Sequence, residues 1–158
     1  FFFGEQCLAA RWECLDCWFA MVGIREANEK RLVDAVKKGE VNDGRKGMGV
    51  LSLLKNKVDV NCVDGGGNTP LHYASSNGQL EVVKVLLEQS DIDVNIQDNY
   101  GRTALHWAAC CGHLDIVKAL RDNSHVQTQI KTNLGKTAFE VAKQYGRREC
   151  AAALNFDD

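Results

Sequence analysis

Apolar residues along this chain return in short helical runs that come in pairs. Leu80, Val82, Val83, Leu86 and Leu87 make one run, and Leu114, Ile116, Val117 and Leu120 make another at the same spacing. Both follow the three-and-four periodicity of a helix with one buried face. A shorter apolar run precedes each: Leu71 and Ala74, Leu105 and Ala108, then Phe139 and Ala142. The polar punctuation has the same period. Thr69-Pro-Leu-His72 recurs 34 residues on as Thr103-Ala-Leu-His106, and again as Thr137-Ala-Phe-Glu140. A glycine stands two residues before each copy (Gly67, Gly101, Gly135), and another stands two helical turns after it (Gly78, Gly112, Gly146). Self-similarity at this period predicts stacked pairs of helices.

The residue types fit their places. Thr69, Thr103 and Thr137 sit where the chain turns into a helix, and a hydroxyl there can accept from a free N–H of the first turn. Pro70 occupies the first helical position, where a missing N–H costs nothing. Leu71, Leu105 and Phe139 point inward, while Ala74, Ala108 and Ala142 are small enough to let two helix backbones approach. Gly78, Gly112 and Gly146 supply the left-handed residue that ends the helix. Asp59-Val-Asn61 and Asp93-Val-Asn95 lead into the turns Asp64-Gly-Gly-Gly67 and Asp98-Asn-Tyr-Gly101. The last copy has Glu140 where the others have histidine. Threonine followed three residues later by glutamate is a capping box, which closes the helix start without outside help.

Gly67-Asn-Thr-Pro-Leu-His-Tyr-Ala74 and Gly101-Arg-Thr-Ala-Leu-His-Trp-Ala108, with Gly112-His113, closely resemble the ankyrin-repeat signature. Two matches in register are far more specific than one short motif. The resemblance implies an all-α solenoid of about four helix–turn–helix repeats with β-turn or hairpin loops and a concave binding face. It also implies that His72 and His106 hold the turn and bridge to neighbouring backbone, a bridge the last repeat would not need. Partner contacts in the family come from the turn tips and the ends of the first helices. Matched by position, these are Asn68, Tyr73, Ser76 and Asn77, then Asn99, Tyr100, Arg102, Trp107, Cys110 and Cys111, then Asn133, Leu134, Lys136, Gln144 and Tyr145. Tyr, Trp and Arg most often dominate interface energy, so Tyr100, Arg102, Trp107 and Tyr145 are the expected centre. Packing between repeats is an equal alternative for Trp107. Asn61 and Asn95 resemble asparagines that a cytosolic hydroxylase modifies in such repeats, with bracing of the loop as their main role.

The repeats are expected at approximately 26–61, 62–95, 96–129 and 130–158, preceded by an extension over 1–25. In that extension Leu8, Trp12, Leu15, Phe19 and Val22 form one apolar helical stripe. It reads as a helix capping the stack, with partner docking or self-association as the alternative. Glu5, Arg11, Glu13 and Asp16 argue against a membrane span, and no secretory signal is evident. In the first repeat, Leu32, Val33 and Val36 suggest one helix ended by Gly39, and Val50, Leu51, Leu53 and Leu54 suggest the second. Between them Asp43-Gly-Arg-Lys-Gly-Met-Gly49 reads as an inserted flexible turn. Its glycine order is wrong for a phosphate-cradling loop. In the third repeat Arg121 replaces the leucine seen at Leu87, and Val126-Gln-Thr-Gln129 replaces Asp-Val-Asn. The loop before the fourth repeat is therefore expected to be less regular.

Composition changes little. The 158 residues are 45% hydrophobic and 25% charged, with a formal net charge of −2, which gives no direct nucleic-acid signal. Charge is uneven along the chain. Residues 25–57 hold nine Lys/Arg against five Asp/Glu, while residues 58–100 hold one against seven. That is either an ordinary solvated surface or a divided footprint for a charged partner. Seven cysteines show no disulfide framework and read as reduced thiols of the cytosol or nucleus. Cys14-Leu-Asp-Cys17, with Cys7 upstream, lacks the further ligands of a metal site and the βαβ setting of a redox motif. His72 and His106, on stacked helices, stand too far apart to share a zinc ion, and His125 has no evident partner. No catalytic arrangement, metal site or cofactor is expected. The chain reads as a protein–protein interaction module, an adaptor or scaffold. The alternative is an assembly or inhibitory protein that acts through residues 1–25.

Overall fold

The computed structural model describes residues 15–40, 49–55 and 58–155. Eight helices follow one another: α1 (Leu15–Lys38), α2 (Val50–Lys55), α3 (Pro70–Ser76), α4 (Leu80–Leu87), α5 (Ala104–Cys111), α6 (Leu114–Arg121), α7 (Ala138–Gln144) and α8 (Arg148–Leu154). No strand occurs among the described residues. Each odd-numbered helix packs against the even-numbered one that follows it. α1, α3, α5 and α7 lie side by side as one layer, and α4, α6 and α8 continue as a second. The expected four-repeat solenoid is what the chain forms.

Four small residues set the spacing of the first layer. Ala35, Ala74, Ala108 and Ala142 are all buried, which brings neighbouring backbones close. Leu32, Leu71 and Leu105 fill the space beneath them, and Val82, Val83 and Leu86 of α4 with Ile116, Val117 and Leu120 of α6 complete the core. Phe139 departs from this pattern: it is only half-buried, and among the described residues no further first-layer helix follows α7 to cover it. Every first helix ends alike. The backbone N–H groups of Glu40, Gln79, His113 and Arg147 donate to the carbonyls of Ala35, Ala74, Ala108 and Ala142. Gly39, Gly78, Gly112 and Gly146 take the left-handed conformation just before them.

That equivalence shows what differs at the start of the first repeat. Counting back from Ala35, Lys30 stands where Thr69 stands and Val33 where His72 stands. Without a capping threonine or its histidine, nothing starts a new helix there. α1 therefore runs unbroken through residues 25 and 26 and takes the place of a first turn. Leu15, Phe19 and Val22 of the apolar stripe fall on α1, while Leu8 and Trp12 lie outside the described residues. The inserted glycine-rich segment also lies outside them, except Gly49. Its two ends are tied where Val50 N–H donates to the Glu40 carbonyl at 2.9 Å.

The turns are built to one plan. Asp98 N–H donates to Arg102 O at 2.8 Å, and Gly101 N–H to Asp98 O at 2.8 Å. The same pair occurs at Asp64, Gly67 and Asn68, and at Thr132, Gly135 and Lys136. Neighbouring tips are joined edge to edge, with Asn99 N–H donating to Gly66 O and Asn133 N–H to Tyr100 O. The loop before the fourth repeat is no less regular than the others, contrary to expectation. The brace comes from one repeat earlier: Asn95 Nδ2 donates to His125 O at 2.7 Å, and its Oδ1 accepts from Gln127 N–H at 2.8 Å.

Gly101 and Gly135 separate two costs of the same substitution. Both have φ near +74° (74° and 73°), but a Cβ at Gly101 would lie 2.5 Å from Asn133 Oδ1 and 2.7 Å from its backbone N, whereas at Gly135 it would meet nothing within 4 Å. Gly135→Ala should cost only the left-handed strain, about 1–2 kcal/mol. Gly101→Ala should add the clash and cost about 3 kcal/mol or more. Urea unfolding of the two variants measures the difference, and equal losses would refute the close approach.

Candidate binding face

Three side chains of the expected centre meet around a residue that sequence reasoning passed over. Asp98 opens the third turn with its carboxylate fully covered. Its Oδ1 accepts from the backbone N–H groups of Tyr100 and Arg102, both at 2.9 Å, and its Oδ2 accepts from Arg102 Nε at 2.8 Å and Trp107 Nε1 at 3.1 Å. Burial alone would raise this carboxyl; the backbone N–H groups of Arg102 and Tyr100 and the guanidinium outweigh it and hold the group below its usual 3.8. The Arg102 guanidinium lies 3.9 Å from the Trp107 ring centre and 4.7 Å from that of Tyr100. Stacking of this kind favours the planar guanidinium over an ammonium. Asp98 was legible as a turn-starting aspartate that bonds backbone two residues on, but its reach to Trp107 was not.

The second repeat carries the same device. Asp64 Oδ1 accepts from the N–H groups of Gly66 and Asn68 at 2.9 Å, and Tyr73 donates its hydroxyl to Asp64 Oδ2. That bond raises the Tyr73 hydroxyl above its ordinary value. The carboxyl of Asp64 sits below its own usual value: burial pushes it up, and the Tyr73 hydroxyl, then the N–H groups of Asn68 and Gly66, pull it further down. The Lys37 amine lies 4.3 Å above the Tyr73 ring. Tyr73 and Trp107 are thus half-buried through a polar handle to the turn, and they pack against their neighbours at the same time.

The other positions divide by exposure. Tyr100 at 67%, Leu134 at 85% and Tyr145 at 55% are among the most exposed large apolar side chains described. Asn77, Asn99, Asn133 and Gln144 are also exposed, and Asn68, Ser76, Cys110, Cys111 and Lys136 are half-buried. Several of these already have work within the fold. Asn99 Nδ2 donates to Gly65 O and Asn133 Nδ2 to Asn99 O, so both lash turn to turn. Lys136 Nζ donates to Gln144 Oε1, and Ser76 Oγ lies 3.8 Å from Cys111 Sγ. Tyr145 caps the end of α7 beside the thiol of Cys110, whose pKa burial pushes up. The structure therefore groups Tyr100, Arg102 and Trp107, and places Tyr145 a repeat further on.

The two signature histidines are committed. Thr69 N–H donates to His72 Nδ1 at 3.0 Å, which leaves the proton on Nε2 to donate to Arg102 O at 3.0 Å. His106 repeats this with Thr103 at 3.2 Å and Lys136 O at 3.1 Å. Glu140 closes its own helix, accepting from Thr137 N–H at 2.7 Å. His113 Nε2 reaches back to Ser76 O at 3.1 Å, and Arg147 Nε to Cys110 O at 3.1 Å. Asn61 and Asn95 each span the gap to the next repeat with both amide atoms, which is the bracing role expected of them. Among the described residues, no group of three His, Cys, Asp or Glu side chains is placed to share a metal ion. No described helix is long and apolar enough to cross a membrane. Cys7 and Cys14 lie outside the described residues. Cys62 is buried, and burial with Glu29 and Asp59 nearby pushes its thiol up to about 12.

Comparison with known proteins points the same way. A family model described as ankyrin repeats (3 copies) matches residues 32–131 and 93–157. The match begins at Leu32, where α1 takes up the repeat pattern. The ankyrin repeat and sterile alpha motif domain-containing protein 1B of Danio rerio is 39% identical over 77 aligned residues, covering 38% of this chain and 6% of that protein. The chain thus spans a small part of that relative's length.

The histidine geometry sets a pH dependence. Burial foremost lowers the pKa of His72 and His106 below the ordinary 6.5, and protonating Nδ1 would set two donors against each other. In the unfolded chain both histidines titrate normally. Their contribution is therefore complete above about pH 6.5 and is lost as pH falls through that value toward the lower folded pKa. Thermal melting should show the midpoint falling between about pH 7 and pH 5, ahead of the further loss near 3.8 that Asp64 and Asp98 would cause. The double variant His72→Asn with His106→Asn should be less stable at pH 7 and nearly flat over that upper window. A variant as steep as the parent would place the titration elsewhere.

Proposed function

The chain belongs to the ankyrin-repeat family, and from this we propose that it is a non-enzymatic interaction module, an adaptor or regulatory domain, that grips a partner protein by the face made of its turn tips and first-helix ends. Ankyrin repeats generally mediate protein–protein interaction and are typically non-enzymatic. One observation carries the reading to particular residues: Tyr100, Arg102 and Trp107 are held in a fixed stack by Asp98, with the Tyr100 ring mostly in solvent. A pre-ordered aromatic side chain loses little freedom on binding, which is how such residues come to dominate an interface. Leu134 and Tyr145 extend the apolar contact toward the fourth repeat. Reduced thiols suit action in the cytosol or nucleus. Asn61 and Asn95 are offered as substrates for a hydroxylase on family resemblance alone.

A second role, self-association through residues 1–25, draws on the continuity of α1, which runs without a break from residue 15 into the first repeat.

The structure decides which substitution tests the binding face. Arg102 braces the turn, so its loss would disturb folding as well as recognition. Tyr100→Ala and Leu134→Ala remove exposed side chains that hold no turn, the Tyr100 ring only stacking on the outer side of Arg102. Together they should weaken capture of the partner about tenfold or more, with the melting temperature unchanged. Undiminished capture would move the interface to another face. Light scattering of the chain with and without residues 1–14 tests self-association: oligomers that vanish on truncation support it, and a monomer in both cases refutes it.

A further inference from the structure

From sequence, the acid excess of residues 58–100 is either an ordinary solvated surface or part of a divided footprint for a charged partner. In the fold it divides front from back. Of its seven acids, Glu81 lies on α4, and Glu88, Asp91 and Asp93 lie in the loop that follows; all four are exposed on the side of the second helices. Asp59 is paired with Arg25 at 3.3 Å. Asp64 and Asp98 are at the turns, but their carboxylates are turned inward and saturated by backbone and side-chain donors. None of the seven presents an open carboxylate at the turn face.

Cations stand there, in company with the exposed Glu26 and Asp34 of α1, which line the same groove as Lys37, and with Glu140 near Lys136. Lys37 and Lys38 close α1 and are exposed; the ammonium of Lys37 lies over the Tyr73 ring. Arg102 keeps a third of its side chain in solvent. Lys136 occupies the position of Arg102 one repeat on, where Asn68 stands one repeat before. A row of positive groups thus crosses the repeats at intervals of roughly 10 Å, beside the exposed Tyr100, Leu134 and Tyr145. Partner side chains of opposite sign would be steered to this row and kept off the acidic back.

Resting on the reading of this face as the interface, we infer that its partner is an extended, acidic protein segment whose carboxylates alternate with apolar side chains. Carboxylates meet Lys37, Arg102 and Lys136, while the apolar side chains rest on Tyr100 and Leu134. Two such intervals, about 20 Å, take some six residues at about 3.4 Å per residue, so a segment of about twelve spans the row with overhang at both ends.

The probe is a fluorescein-labelled peptide of about twelve residues in which Glu and Asp alternate with Leu and Phe, set against the same peptide with Gln and Asn replacing the acids. Fluorescence anisotropy on the whole chain should show binding of the acidic peptide at about 50 mM salt that weakens about tenfold or more by about 500 mM. Lys37→Glu with Lys136→Glu should weaken it about tenfold, since neither lysine holds a turn, while Lys84→Glu on the back should not. Circular dichroism confirms that each variant is folded. Equal binding of the amide peptide overturns the acidic specificity but leaves the interface reading intact if Tyr100→Ala still weakens it. Acidic binding insensitive to both lysines and to Tyr100 overturns both. No binding by either peptide overturns the extended segment; a folded partner whose capture still depends on Tyr100 would then keep the interface reading alone.

Discussion

A side chain of one repeat bonded to a backbone carbonyl of its neighbour is the contact on which this molecule depends. His72 and His106 reach forward to the carbonyls of Arg102 and Lys136, and Asn61 and Asn95 reach forward to those of Asp91 and His125. His113 and Arg147 reach back to Ser76 and Cys110. Helices α2 to α8 are only about two turns long, too short to persist in water alone. Burial of the alanine and leucine rows supplies the driving force, but apolar packing tolerates small slippage between repeats. Directed bonds to fixed carbonyls set the register, and an unmade bond at a buried carbonyl would carry its own desolvation cost.

This explains which parts of the fold were legible in the sequence. Thr69 with His72 and Thr103 with His106 encode a helix start within four residues, so pattern reading located α3, α5 and α7 to within a residue. The start of α1 had no such local signal, and only its consequence is visible: a helix with Lys30 and Val33 at the capping positions has no reason to begin there. Regularity of the loop before the fourth repeat was misjudged for a different reason. Gln127 and its neighbours lack the usual residues, yet their backbone is held by Asn95, more than thirty positions away. The candidate binding face was legible as a set of positions, because the period maps turn onto turn. Its centre was not, because Asp98 looks like any turn aspartate until Trp107 and Arg102 are seen to converge on it.

The turn aspartates also connect stability to recognition. A carboxylate at the first turn position is useful to the backbone, since it satisfies two N–H groups that the tight turn leaves without partners. Left open on the surface, it would repel an acidic ligand. Here Tyr73 and Trp107 take the second oxygen in each case, so the carboxylate is bonded within the turn while the aromatic ring is held upright. Arg102 adds a cation to the same carboxylate and keeps one edge outside. One residue thereby sets the turn, orients the aromatic wall, and holds the guanidinium with one edge facing out.

The fourth repeat shows the same logic where a neighbour is missing among the described residues. A histidine there would point its Nε2–H at no carbonyl, and a buried-type imidazole without an acceptor gains nothing over a carboxylate. Glu140 satisfies Thr137 N–H directly and stays exposed. Arg148 stands where Leu80 and Leu114 stand in the repeats before it, so the rim of this end is polar. Phe139, Ala151 and Ala152 nevertheless leave an apolar strip between α7 and α8. Lys143 Nζ lies 5.2 Å over the Phe139 ring and its stem covers part of that strip. The fourth repeat thus keeps the inward half of the repeat pattern, which its preceding neighbour requires, and satisfies its own helix start on the outward half.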